Sequence, residues 1–223
     1  MRETKGHRKR LREKFLRGGI KALHDYEIVE LLLSIATPQK DCKESAKKAI
    51  RKFKTLRGVL DASSEEIQEI EEIGPKNIFG LAFAKAVADE YLKEKILKKP
   101  VFKSSRDIIN YLQHSMSRLK NEVFKVIYLN KANKILGVET LFEGTIDKTT
   151  AYSREIIKAA LKNNAVRLVF VHNHPAGNLE PSKQDIIITR RLSKACREVG
   201  LEVVDHLIIA GDLYLSFKTR GLM

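Results

Sequence analysis

The sequence predicts an α/β (α+β) fold in which a small all-α domain precedes a domain built on a mixed sheet with flanking helices. Short helical patterns with closely spaced start and stop signals fill residues 1–95, without sustained period-two alternation. Beyond residue 105 the order changes to strand, strand, helix, strand, helix, strand, strand. The basic, proline-containing segment between them predicts a linker at 96–104, and therefore domains at 1–95 and 105–223.

Helices in the first domain are expected where apolar periodicity coincides with capping residues. Gly18-Gly19 ends the first, Pro38 follows the second, and Asp41 and Ser63 each precede a glutamate by three residues, as in a capping box. The predicted ranges are 7–17, 26–36, 42–54, 64–71 and 75–95.

The second domain is expected to begin with a hairpin, because the β-rich runs 122–129 and 135–142 are separated only by 130–134. The remaining elements follow from alternating buried runs and amphipathic patterns. They are a helix at 153–162, a strand at 166–174, a helix at 183–199 and strands at 201–209 and 213–217.

Composition bounds the class of protein. The 223 residues are 43% hydrophobic, which is enough for a packed core. No apolar run approaches the roughly 18 residues of a membrane span, and no apolar stretch follows the charged start to form a signal peptide. We therefore expect a soluble cytoplasmic protein without membrane contact. Its two widely separated cysteines, Cys42 and Cys196, are expected to be reduced and buried.

The net charge of +14 predicts attraction to nucleic acid or another polyanion. Residues 1–21 hold nine basic and two acidic side chains, the most concentrated basic stretch of the chain. If DNA binds, we expect contacts from Arg8, Lys9, Arg10 and Arg12. The alternative is a solvated helix face.

His172 and His174 follow the apolar run 168–171 and are two positions apart, so on a strand both imidazoles share one face. Asp185 follows after a Pro- and Gly-containing loop. Two imidazoles and one carboxylate leave a fourth zinc position open, which is typical of catalytic sites. The alternative is structural: Ser182 caps the next helix and Asp185 is its reciprocal partner.

His172-x-His174, seven residues, Ser182, two residues and Asp185 match the core motif of JAMM (MPN+) metalloproteases. The surrounding motifs resemble the bacterial RadC family over nearly the whole chain. They are Glu122-x-Phe124, Asn130-x-x-Asn133, Leu141-Phe142-x-Gly144-Thr145, Arg154-Glu155-Ile156, His172-Asn173-His174-Pro175, Pro181-Ser182-x-x-Asp185 and Asp205-His206. The resemblance implies a JAMM/MPN-like second domain.

The resemblance also implies roles at the site. His172, His174 and Asp185 would bind Zn²⁺, Ser182 would donate a hydrogen bond near the oxyanion, and Glu122 would be the general acid/base for a metal-bound water. The implied reaction is hydrolysis of a peptide or isopeptide bond in a peptide or protein substrate. Asp205-His206 could support the metal site, line a peptide groove or form a structural hydrogen bond.

The segment 69–77 resembles a helix-hairpin-helix, a module whose backbone N–H groups bind phosphate in DNA-binding proteins. Glu72 replaces its first glycine and five glutamates surround the turn, so packing or protein contact is an equal alternative. A second reading of the whole chain is a DNA-associated, repair-related binding protein with a non-catalytic metal pocket. A nuclease fits less well, because it would need clustered carboxylates around Mg²⁺. The sequence does not specify the oligomeric state.

Overall fold

A computed structural model describes residues 3–37, 40–97, 105–144 and 149–223. The chain divides into two compact units, residues 1–88 and 89–223. The division falls within one helix, Phe79–Ile96, rather than at residue 95. Residues 98–104 of the predicted linker lie outside the described residues.

The first unit is helical, as predicted. Its core consists of apolar side chains from several short helices, including the fully buried Val29, Leu33, Ala46 and Ala49. The helices are α1 (Glu3–Gly18), a 3-10 turn (Ile20–Ala22), α2 (Asp25–Ser34), α3 (Lys43–Phe53), α4 (Leu56–Asp61), α5 (Ser64–Gln68) and the first part of α6 (Phe79–Ile96).

Three details of this unit differ from prediction. Helix α4, which Thr55 caps by accepting a hydrogen bond from the backbone N–H of Gly58, was missed because six residues carry little periodicity. The predicted capping box at Asp41 is wrong: Cys42 is the N-cap, and Asp41 accepts only from the backbone N–H of Lys43. The predicted helices 64–71 and 75–95 end earlier and begin later, at 68 and 79, because a turn occupies the intervening residues.

The second unit contains a five-stranded mixed sheet in the order β2-β1-β3-β4-β5. Strand β1 pairs antiparallel with β2 and β3, β3 is parallel to β4, and β4 is antiparallel to β5. The elements, close to the predicted ranges, are α7 (Ser105–Met116), β1 (Val123–Leu129), β2 (Ile135–Glu143), α8 (Thr149–Lys162), β3 (Arg167–Asn173), α9 (Lys183–Glu198), β4 (Glu202–Ala210) and β5 (Leu213–Ser216).

The two faces of the sheet pack against different helices, because side chains alternate along each strand. Val169 and Val171 of β3 join the core that contains Leu112 of α7. Leu168 and Phe170 join the core of α8 and α9. Even-numbered residues at the end of β3 therefore face α9.

Both cysteines are free and buried, as predicted. Burial raises the pKa of Cys196 to about 11, so its thiol is protonated at neutral pH. Among the described residues, no helix has the length and apolar character needed to cross a bilayer. The cytoplasmic location stays a prediction.

Candidate metal centre

The two histidines lie at the end of β3, on the face covered by α9. His172 pairs in register with Phe124 of β1 and with Ile208 of β4, and only 2% of its surface is exposed. His174 is one residue beyond the strand, where its backbone N–H donates to the carbonyl of Ile209 at 2.8 Å. The strand geometry thus brings both imidazoles to one side, as their spacing predicted.

Asp185 reaches the histidines from the first turn of α9. Its Oδ1 lies 3.5 Å from Nε2 of His172, and its Oδ2 lies 3.5 Å from Nε2 of His174. The same carboxylate accepts from the backbone N–H of Ser182 at 2.7 Å, while the Ser182 hydroxyl accepts from the backbone N–H of Asp185 at 3.1 Å. The capping and ligand interpretations of Asp185 are therefore both compatible with one conformation.

The three side chains fit a metal ion. Each offers a ligand atom, and these atoms lie within 4.8 Å of one another. The Nδ1–H of His174 donates to the carbonyl of Asn178 at 2.6 Å, which leaves its Nε2 lone pair directed into the cluster. The two Nε2 atoms are only 2.9 Å apart beside a carboxylate. Lone pairs and negative charge this close require a cation or a proton between them.

The protonation tendencies of the three groups agree with this requirement. Burial lowers the pKa of His172 to about 4, so this imidazole is neutral at pH 7. The hydrogen bond with Asp185 raises the pKa of His174. Burial alone would raise the pKa of Asp185, but the hydrogen bond from His174, the nearby His172 and the bonds from Ser182 lower it instead. Asp185 is thus an anion at neutral pH.

Glu122 lies directly before β1 and lines an open cleft with the ligand residues. The cleft has a volume of about 410 Å³ and also includes Ser182. The full lining is Glu122, His174, Pro175, Ala176, Asn178, Glu180, Ser182, Gln184, Asp185 and Ile188. Structure and sequence thus place the predicted acid/base residue and the predicted hydroxyl donor at the same opening.

Asn173, between the two histidines, holds the backbone on both sides of Glu122. Its Oδ1 accepts from the backbone N–H of Val123 at 2.8 Å, and its Nδ2 donates to the carbonyl of Asn121 at 3.1 Å. The side chain is 1% exposed. Sequence reasoning did not single out this residue, although a buried amide on the opposite face from His172 and His174 was a usable signal.

The Asp205-His206 pair separates into two roles. His206 lies behind the metal cluster, with Nε2 2.8 Å from Nδ1 of His172 and Nδ1 2.6 Å from the Thr189 hydroxyl. Asp205 points elsewhere and accepts from the backbone N–H groups of His206 and Lys218 and from the Ser216 hydroxyl. Asp205 thus has the structural role, whereas His206 contacts a ligand residue.

The hairpin of the helical unit does not offer the N–H of Gly74 to phosphate. This N–H donates to Oδ1 of Asn77 at 2.7 Å, and the Asn77 amide donates to the carbonyl of Glu72 at 3.1 Å. Glu72 occupies the glycine-like position with φ 70°. The contacts favour the packing alternative for this turn.

The predicted basic contacts on α1 are not equivalent. Arg8 is only 8% exposed, so its assignment as a surface contact is wrong. Lys9, Arg10 and Arg12 are exposed, and Lys9 lies 3.9 Å from Glu13. Three of the four predicted cations therefore remain accessible.

The mixed sheet, with a His-His-Asp cluster between β3 and α9, defines the second unit as a domain of the JAB (JAMM/MPN) class. Residues 102–222 match the family model of the RadC-like JAB domain, and residues 4–79 match that of the UPF0758 N-terminal region. UPF0758 proteins of Ruegeria pomeroyi and Pseudoalteromonas translucida are each 37% identical, over 97% and 96% of both chains, respectively. One from Fusobacterium nucleatum is 36% identical over 99% of this chain and 98% of its own. The chain therefore belongs to the RadC (UPF0758) family.

Proposed function

We propose that the protein is a zinc-dependent hydrolase of the JAMM type that cleaves a peptide or isopeptide bond. The observation that carries this proposal is the grouping of His172, His174 and Asp185 at an open cleft that also contains Glu122. Zinc bound there would supply a lowered water pKa of about 7 and polarisation of the scissile carbonyl. Two imidazoles and one carboxylate are suited to zinc, whereas Mg²⁺ prefers oxygen ligands.

Glu122 is the proposed proton carrier. Its carboxylate would take a proton from the attacking water and return it to the leaving amine, which an amide needs in order to depart. Asn173 fixes the backbone on both sides of Glu122, so the carboxylate starts from a defined position.

Ser182 is the proposed donor to the carbonyl oxygen. Its Oγ accepts from the backbone N–H of Asp185, so the hydroxyl proton remains able to donate into the cleft. A donor at this position would stabilise the negative charge that develops on the carbonyl oxygen in the transition state.

The test is hydrolysis of a panel of peptide and isopeptide substrates by zinc-loaded parent protein and by Glu122→Gln. We expect the variant to lose at least about 100-fold in kcat/KM, the lower end of what a general acid/base contributes, while retaining parental zinc content. Parental activity in Glu122→Gln, or activity that survives complete zinc removal, would contradict the proposal.

A second candidate function is contact with nucleic acid, as a DNA-associated protein with a non-catalytic metal pocket. The exposed Lys9, Arg10 and Arg12 on α1 favour it, because cations along one helix can bind successive phosphates. Chelation discriminates between the candidates: loss of hydrolysis on zinc removal supports the enzyme, whereas DNA binding that survives zinc removal without any hydrolysis supports the binding protein.

A further inference from the structure

We propose that Thr189 and His206 are positioning residues that fix the tautomer of His172 and thereby direct its Nε2 lone pair to the metal. This inference rests on the proposed metal site. It concerns a chain of hydrogen bonds that begins at the backbone of one ligand residue, Asp185, and ends at the ring of another, His172.

The Thr189 hydroxyl sets the direction of the chain. Its Oγ1 lies 2.6 Å from the carbonyl oxygen of Asp185, one helical turn earlier in α9. A carbonyl oxygen only accepts, so the single hydroxyl proton must lie on this bond. Toward His206, 2.6 Å away, Oγ1 is therefore the acceptor, and Nδ1 of His206 carries a proton.

His206 transmits this direction to His172. Its ring is 1% exposed and packs against the rings of Phe124, Phe170 and Phe217. A charged imidazolium in such surroundings would be strongly disfavoured, so the ring is neutral and has one proton, on Nδ1. Its Nε2 then accepts from Nδ1–H of His172 at 2.8 Å.

The consequence at the site is a bare Nε2 on His172. The reversed chain, with the hydroxyl donating to His206, would place a proton on Nε2 of His172 and exclude that atom as a ligand. His174 needs no such chain, because the carbonyl of Asn178 fixes its tautomer directly. The buried ligand and the cleft-facing ligand thus receive the same tautomer from two different carbonyl groups.

Substitutions at Thr189 separate hydroxyl from volume. In Thr189→Val the methyl packing remains but His206 loses its acceptor, whereas Thr189→Ser retains the hydroxyl. With a chelator competition assay we expect the zinc affinity of Thr189→Val to fall at least about 10-fold and that of Thr189→Ser to stay within about twofold of the parent. His206→Phe, which suits the surrounding aromatic rings, should weaken zinc at least as much as Thr189→Val.

The tautomer can be observed directly in metal-free parent protein labelled with ¹⁵N-histidine. Two-bond ¹H–¹⁵N spectra at neutral pH should show His206 protonated on Nδ1 alone, and His172 protonated on Nδ1 with a bare Nε2. A proton on Nε2 of His172, or parental zinc affinity in folded Thr189→Val, would overturn the proposal. Far-UV circular dichroism checks the fold of each variant, and if the variants do not fold, the parent spectrum decides. If the parent binds no zinc, the proposed function fails while the spectrum still tests the hydrogen-bond chain.

Discussion

Asn173 is the residue whose side chain links the metal ligands to the proposed proton carrier. Its amide holds the backbone of Asn121 and Val123, the two neighbours of Glu122. Asn173→Ala would release that segment and leave a buried N–H and a carbonyl without their partner. We expect kcat/KM to fall at least about 10-fold, since small displacements of a catalytic group are costly, with zinc content unchanged.

A matched control is available in the same unit. The Asn163 amide donates to the side chain of Glu139 and to the carbonyl of Ala159, remote in sequence from the site residues. Asn163→Ala should lose about 1–3 kcal/mol of unfolding free energy without loss of kcat/KM. Equal activity losses in both variants would show that Asn173 acts only through stability.

At the scale of elements, the N-terminus of α9 combines a capping box with a ligand and a proposed donor. Ser182→Ala should lower the unfolding free energy by about 1 kcal/mol, the usual value of a serine N-cap. It should also reduce kcat/KM by about 100-fold through loss of the hydroxyl that faces the cleft.

Helix α5 supplies the control, because Ser63 and Glu66 form the same capping box there without a nearby ligand. Ser63→Ala should show a similar stability loss in thermal or denaturant unfolding, with unchanged hydrolysis. If Ser182→Ala behaves like Ser63→Ala in both measurements, then Ser182 is only a cap.

Sequence patterns predicted the elements best where residues are buried on a regular face. The apolar run before His172 predicted β3 and, through alternation, the common orientation of the two histidines. Helix α4 was missed because its six residues depend on a single cap at Thr55, and Asp41 was misplaced because Cys42 is the N-cap. The network behind His172 was beyond prediction in detail, since Thr189 and His206 meet only through the packing of α9 on β4.

At the scale of the whole molecule, the net charge of +14 predicts salt-dependent association with polyanions. If DNA binds through α1, replacing Lys9, Arg10 and Arg12 by glutamine should weaken binding. The slope of log K against log salt should decrease by about 3, roughly one unit for each phosphate contact. Fluorescence anisotropy with labelled duplex DNA over a salt series measures both quantities.

Lys131, Lys134 and Lys162 form the charge-matched control, because they are exposed and belong to the other unit. Their replacement by glutamine removes the same charge. An equal change in slope for both triple variants would locate the effect in net charge rather than in α1.

The most direct test of the central claim is the zinc content of untagged protein, measured by elemental mass spectrometry beside a His172→Ala, His174→Ala double variant. The geometry of the two Nε2 atoms and the Asp185 carboxylate predicts close to one zinc per chain in the parent and none in the variant. The absence of zinc from both after reconstitution, or equal zinc in both, would contradict the assignment of His172, His174 and Asp185 as a metal centre.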